Sequence, residues 1–89
     1  MIPKTIIEKI LDAVHIEDVV AEFLPLQKRG TIYRALCPFH QEKTASFTVT
    51  PNRNMFYCFG CYKGGNAITF LMEHENMAYP EAVKWLGRK

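Results

Sequence analysis

Cys37-Pro38-Phe39-His40, then seventeen residues, then Cys58-Phe59-Gly60-Cys61, is the stretch that decides the fold. It contains all three cysteines of an 89-residue chain, in two pairs with the same internal spacing. A two-residue gap lets two side chains converge on one ion from a tight turn. Pro38 suits such a turn by fixing φ near about −65°, and Gly60 admits the positive φ that such turns often need. Three thiolates and an imidazole make a tetrahedral set typical of structural zinc, so Cys37, His40, Cys58 and Cys61 read as ligands of one structural Zn²⁺. A closed site of this kind braces a fold and leaves no coordination position for a reacting water. Two other chemistries fit less well. Cys58-x-x-Cys61 as a thioredoxin-type redox pair lacks a surrounding βαβ pattern and leaves Cys37 and His40 unexplained. His40-Gln41-Glu42 with the second pair echoes a zinc nucleobase deaminase, but Tyr57 stands where that signature has proline, and Cys37 fills the place of the activated water.

At this length the core is expected to need a supplement such as a disulfide or a metal. A core of this size supplies only about 3 to 5 kcal/mol, whereas structural zinc can contribute about 10 to 16 kcal/mol of apparent folding free energy. A composition of 48% hydrophobic and 22% charged residues is that of a folding domain and not of a disordered tail. An odd cysteine count leaves a remainder after any intramolecular disulfide. Glu8 and Asp12 interrupt the N-terminal apolar stretch, so it does not read as a secretory signal. No apolar run approaches the roughly 20 residues of a membrane span. The expectation is a reduced, cytoplasmic, soluble chain.

The net charge of +2 conceals a division: residues 28–63 carry six basic residues against Glu42 alone, while the two ends carry eight acids against five bases. Seven of the eleven aromatics fall in the same basic middle. Basic charge interleaved with aromatic faces is the footprint of a single-stranded nucleic-acid surface, although aromatics of a small domain are commonly core.

Outward from the paired motifs, the chain reads as helices, sheet, helices. Ile6, Ile7, Ile10, Leu11 and Val14 form one apolar stripe after Pro3, and Ile16, Val19, Val20 and Phe23 form a second, ended by Pro25. Lys28-Arg29-Gly30 reads as a turn and Thr31 to Leu36 as a strand. The alternation from Ser46 to Thr50, turn residues at 51–54 and the return from Met55 to Cys58 predict an antiparallel hairpin that brings the two pairs together. Asn66 is a good N-cap for a helix carrying Ile68, Leu71 and Met72, and a last helix spans Pro80 to Gly87. The fold class is therefore α+β: a zinc ribbon with a small antiparallel sheet flanked by N- and C-terminal helices. His15 and His74 read as surface or capping residues.

The motifs Cys37-Pro-Phe-His40, Glu42-Lys43-Thr44, Ser46-Phe47, Cys58-Phe-Gly-Cys61 and Gly64-Gly65-Asn66 resemble the N-terminal zinc-binding domain of bacterial DnaG-type replicative DNA primases. The opening Ile2-Pro3 and Pro80-Glu81-Ala82-Val83 extend the resemblance over residues 1–89, with departures at Ala45, where the family usually has proline, and at Tyr62-Lys63. The resemblance implies a module that helps choose where on a single-stranded DNA template a short RNA primer begins. It implies a polymerising domain, acting in cis or in trans, and a replicative helicase as an indirect partner, all in a cytoplasmic replisome. The polymerase and helicase-interaction regions lie outside this chain, whose end at Arg88-Lys89 looks like a cut after the last helix. This piece alone is expected to be non-catalytic.

Beside that resemblance, Arg34, Lys43, Arg53 and Lys63 are expected to neutralise phosphates, and Phe56 or Tyr57 to stack a base. Strand parity puts those two on opposite faces, so only one of them can serve. Phe39, Phe47 and Phe59 read as packing around the paired motifs, and Lys43, Thr48 and Asn54 as candidates for base-edge contacts. The competing class is a zinc-ribbon module that docks a protein partner through its helices.

Overall fold

The computed structural model of the chain describes residues 2–39 and 45–88. Their elements follow in the order α1 (Lys4–Ala13), α2 (Ile16–Ala21), β1 (Gln27–Arg29), β2 (Ile32–Ala35), β3 (Phe47–Thr50), a 3-10 turn (Pro51–Arg53), β4 (Met55–Cys58), β5 (Gly64–Gly65), α3 (Ala67–Glu75) and α4 (Tyr79–Gly87). The five strands form one antiparallel sheet in the order β1-β2-β3-β4-β5. This is the expected α+β class.

Sheet parity separates two faces. Ala35 pairs with Phe47 and Phe47 with Cys58, while Tyr33 pairs with Val49 and Val49 with Phe56. These residues face the helices, and Phe47, Val49, Phe56 and Cys58 are all buried there. Between them run Arg34, Thr48, Tyr57 and Gly64, directly opposite one another across four strands on the outer face. Ile16, Val19 and Val20 of α2, Ile68, Phe70 and Leu71 of α3, and Val83 and Leu86 of α4 close over the inner face. Rings carry much of this contact: Phe70 lies between Phe47, Phe56, Phe23 and Phe39, with centroids 5.8–6.3 Å away. His74 is part of this cluster and no surface residue, since its ring lies flat on Phe70 at 5.1 Å. His15 is exposed and precedes α2 without a side-chain capping bond.

Several elements differ from the sequence reading. Lys28 and Arg29 belong to β1, not to a turn, and the reversal falls at Gly30, where φ is 65°. All three β1 residues are exposed, so no alternation marked the strand; its partner β2 supplies the order. Gly64-Gly65 form a fifth strand on β4. Pro3 is the residue before α1 and its carbonyl accepts from Ile6 and Ile7. Asn66 caps α3 as expected, its side-chain oxygen accepting from the Thr69 amide at 3.0 Å. The helix α1 has no fully buried residue, and Ile6 is exposed.

Phe70→Ala should therefore cost about 3 to 5 kcal/mol, because it empties the centre of the ring cluster, whereas Ile6→Ala should cost no more than about 0.5 kcal/mol. Denaturant unfolding of the zinc-loaded protein reads both, and similar midpoints for the two variants would contradict this core.

Candidate metal centre and sheet face

Three of the four expected metal ligands converge. Cys37 follows β2, Cys58 ends β4 and Cys61 lies in the turn after it, and the three sulfurs lie within 4.8 Å of one another. The Cys37 and Cys61 sulfurs are 3.7 Å apart. A tetrahedral Zn²⁺ with Zn–S bonds of about 2.3 Å requires sulfur separations of about 3.8 Å, so the spacing fits zinc. His40 lies outside the described residues, as does Lys43.

Backbone amides prepare these sulfurs for negative charge. The amide of Phe39 donates to the Cys37 sulfur at 3.4 Å and that of Gly60 to the Cys58 sulfur at 3.3 Å, the same two-residue step in each turn. The Ser46 hydroxyl is 3.6 Å from the Cys58 sulfur. Burial pushes the Cys37 thiol up to about 12. Burial also works against ionisation at Cys58, but donors from the Cys61 and Gly60 amides, the Ser46 hydroxyl and the Cys37 thiol outweigh it and bring the group below the ordinary thiol value. Without a metal, Cys58 thus ionises before Cys37, which keeps its proton. The second turn is locked by Tyr62 donating to the Cys58 carbonyl and Cys58 donating to the Lys63 carbonyl, each at 2.8 Å. The positive φ that this turn requires falls on Tyr62, at 65°, not on Gly60.

The outer sheet face is the second candidate site. Its strands contain no carboxylate from Gln27 to Ala35 or from Phe47 to Gly65. Here burial decides between the two aromatics: Phe56 is 1% exposed and stacked on Phe47 at 5.5 Å, so it cannot offer a face to a base, whereas Tyr57 is 39% exposed. Phe59 also departs from expectation. At 62% exposed it is no packing residue, and its ring meets Tyr57 edge-on at 4.9 Å. The signal in sequence was parity, since Phe59 stands two residues beyond Tyr57 and shares its side of the chain. Tyr62 is exposed beside them, and an open groove of about 580 Å³ runs along Thr48, Arg53, Tyr57, Phe59, Tyr62 and Gly64. A Cβ at Gly64 would stand 2.8 Å from the Tyr57 ring, so glycine is what lets that ring lie across β5.

The remaining candidates divide. Arg34 lies on this face opposite Thr48, and its buried Nε has no hydrogen-bond partner among the described residues. Arg53 is exposed at the groove. Lys63 turns away, pairing with Glu73 at 3.1 Å and lying 5.5 Å from the Phe39 ring. Thr48 is buried between Arg34 and Tyr57. The Asn54 side chain is committed to backbone partners, which removes it from the base-edge list. Among the described residues no helix is long and apolar enough to cross a membrane.

A family model described as a CHC2 zinc finger matches residues 2–89. A DNA primase of Pseudomonas putida is 48% identical over 99% of this chain, and one of Geobacillus stearothermophilus is 50% identical over 99%. The chain spans only 13% and 15% of the length of those two relatives. Among solved structures, the zinc-binding and RNA polymerase domains of the Aquifex aeolicus primase superpose with a TM-score of 0.89 at 42% identity, covering 93% of this chain and 21% of that one.

Two outcomes test the centre. Cys61→Ser or chelation should unfold the domain, with loss of the near-UV spectrum and of the cooperative melt; a chelated sample with both unchanged would contradict a bracing metal. Because Cys37 holds its proton through neutral pH, ligation must release it, and zinc affinity should rise with pH. Calorimetry in two buffers of different ionisation enthalpy should then give different apparent enthalpies, and identical enthalpies would contradict proton release.

Proposed function

Because this chain belongs to the CHC2 zinc finger family found in bacterial DNA primases, we propose that it is the zinc-stabilised module by which such an enzyme recognises single-stranded DNA template before making a short RNA primer. One Zn²⁺ held by Cys37, His40, Cys58 and Cys61 supplies the brace. The closed ligand set leaves the module itself non-catalytic, and nucleotidyl transfer belongs to a polymerase domain elsewhere in the full enzyme. The setting is the cytoplasmic replisome, with the helicase contacted through other regions.

The observation that carries the reading is the outer sheet face: three exposed aromatics, Tyr57, Phe59 and Tyr62, beside the exposed Arg53 and the half-buried Arg34, on strands whose sequence contains no carboxylate. Aromatic faces accept bases of any sequence, and guanidiniums neutralise the phosphates between them. Lys43 remains a proposed phosphate contact from the sequence. Lys63 is a weaker one, because Glu73 already offsets its charge.

A protein-facing role for the helices has its own support. An apolar groove of about 410 Å³ lies between α1, α2 and the end of α4, lined by Ile6, Ile10, Val19 and Leu86. The Aquifex aeolicus primase structure is described as holding zinc-binding and RNA polymerase domains, so we propose the polymerase domain in cis as the occupant of this groove.

Titration of fluorescent single-stranded DNA at increasing salt tests the main reading. The wild-type affinity should fall steeply with salt, Arg34→Ala and Lys43→Ala should each flatten the slope, and Tyr57→Ala or Phe59→Ala should cost about 1 to 3 kcal/mol at fixed salt. A shallow wild-type slope with no loss in the aromatic variants would favour the protein-docking role.

A further inference from the structure

The Asn54 backbone amide closes its own turn on the Pro51 carbonyl at 3.1 Å, but its side chain is bound at three points outside the hairpin. Its side-chain oxygen accepts from the Ile16 amide at 2.9 Å, and its Nδ2 donates to the Leu11 carbonyl at 2.9 Å and the Val14 carbonyl at 2.8 Å. Two carbonyls can only be met by the NH₂ group and an amide N–H only by the oxygen, so the partners fix the orientation of the side chain. The Leu11 carbonyl lies in the last turn of α1 and the Ile16 amide in the first turn of α2, where helices leave backbone groups unpaired. One side chain thus caps the end of one helix and the start of the next from about forty residues away in sequence. The backbone makes a second demand. Asn54 has φ 54° and ψ 43°, a left-handed conformation that asparagine tolerates better than most residues.

Arg53 is the residue held immediately before this clamp. It stands where two depressions meet: the aromatic groove of the outer sheet face, and a cleft beside α1 that also contains Asp12. A turn free to pivot could bring the guanidinium toward the Asp12 carboxylate, which would remove its charge from the nucleic-acid face. We infer that Asn54 is a positioning residue for nucleic-acid binding: by tying the 51–53 turn to the α1–α2 junction it holds Arg53 on the sheet face beside Tyr57. The inference rests on the template-binding reading of that face and adds a residue that touches no nucleotide.

The test is a double-mutant cycle on the zinc-loaded protein, read as the salt dependence of single-stranded DNA affinity. Removing one phosphate contact should lower the slope by about 0.7, or about fivefold in affinity near 0.1 M salt. Arg53→Ala should show that loss. Asn54→Gly keeps the left-handed backbone and deletes the clamp; it should show the same loss with zinc content unchanged, and the double variant should lose no more than either alone. If Asn54→Gly does not fold, Asn54→Asp carries the same expectation, because it keeps the acceptor for Ile16 but sets a carboxylate against two carbonyls. A folded Asn54 variant with the wild-type slope, or losses that add in full, overturns the inference while leaving template binding standing. A wild-type protein with no salt-dependent binding overturns both.

Discussion

Three cysteine sulfurs within 4.8 Å of one another tie the end of β4 to the segment leaving β2, and the sheet depends on that convergence. The two strands are not neighbours: β3 lies between them. A metal there therefore clamps three strands at one end, and Ser46 joins the clamp through its hydroxyl beside Cys58 and its carbonyl, which accepts from Phe59 at 3.0 Å. The outermost strands β1 and β5 then have ordered neighbours to pair with. Neither is long enough to hold a sheet by itself, being three and two residues. The domain is small and buries a correspondingly small apolar core, so a metal binding the folded cysteine cluster would add to what the well-filled inner face supplies.

The same clamp sets what the outer face presents. Cys58 points inward as a ligand candidate and as part of the core, so parity sends its neighbours Tyr57 and Phe59 outward. Exposed aromatics and an inward sulfur thus alternate along a single strand, and a shift of one residue in register would bury the aromatics and expose the sulfur. At the other end of the hairpin, Asn54 fixes the turn to the helical layer. The face is held at both ends, by the cysteine cluster at one and an asparagine at the other, which would suit the proposed contact with a flexible template strand.

How much of this was legible depended on the range of the interaction. The paired spacing of Cys37/His40 and Cys58/Cys61, the period-two hairpin and the Asn66 cap are local patterns, and the antiparallel ribbon with flanking helices follows from them. The strands β1 and β5 carry no pattern of their own, since one is wholly exposed and the other is two glycines; only a partner makes them strands. Phe56 and Tyr57 were separable by parity but not assignable, because which face is covered depends on where α2 and α3 pack. Phe59 was drawn into the core by its type, although its position beside Tyr57 pointed outward. Asn54 looked like a turn residue, and it is one, but its three partners lie in another layer of the fold and nothing local names them.

The coordination itself is the most direct point at which to test this account, because His40 completes the proposed set. Zinc-edge X-ray absorption on the zinc-loaded protein should show three sulfurs at about 2.3 Å and one nitrogen at about 2.0 Å. A shell with fewer than three sulfurs, or with light-atom scattering in excess of a single imidazole, would contradict a closed centre in which Cys37, Cys58 and Cys61 brace the sheet.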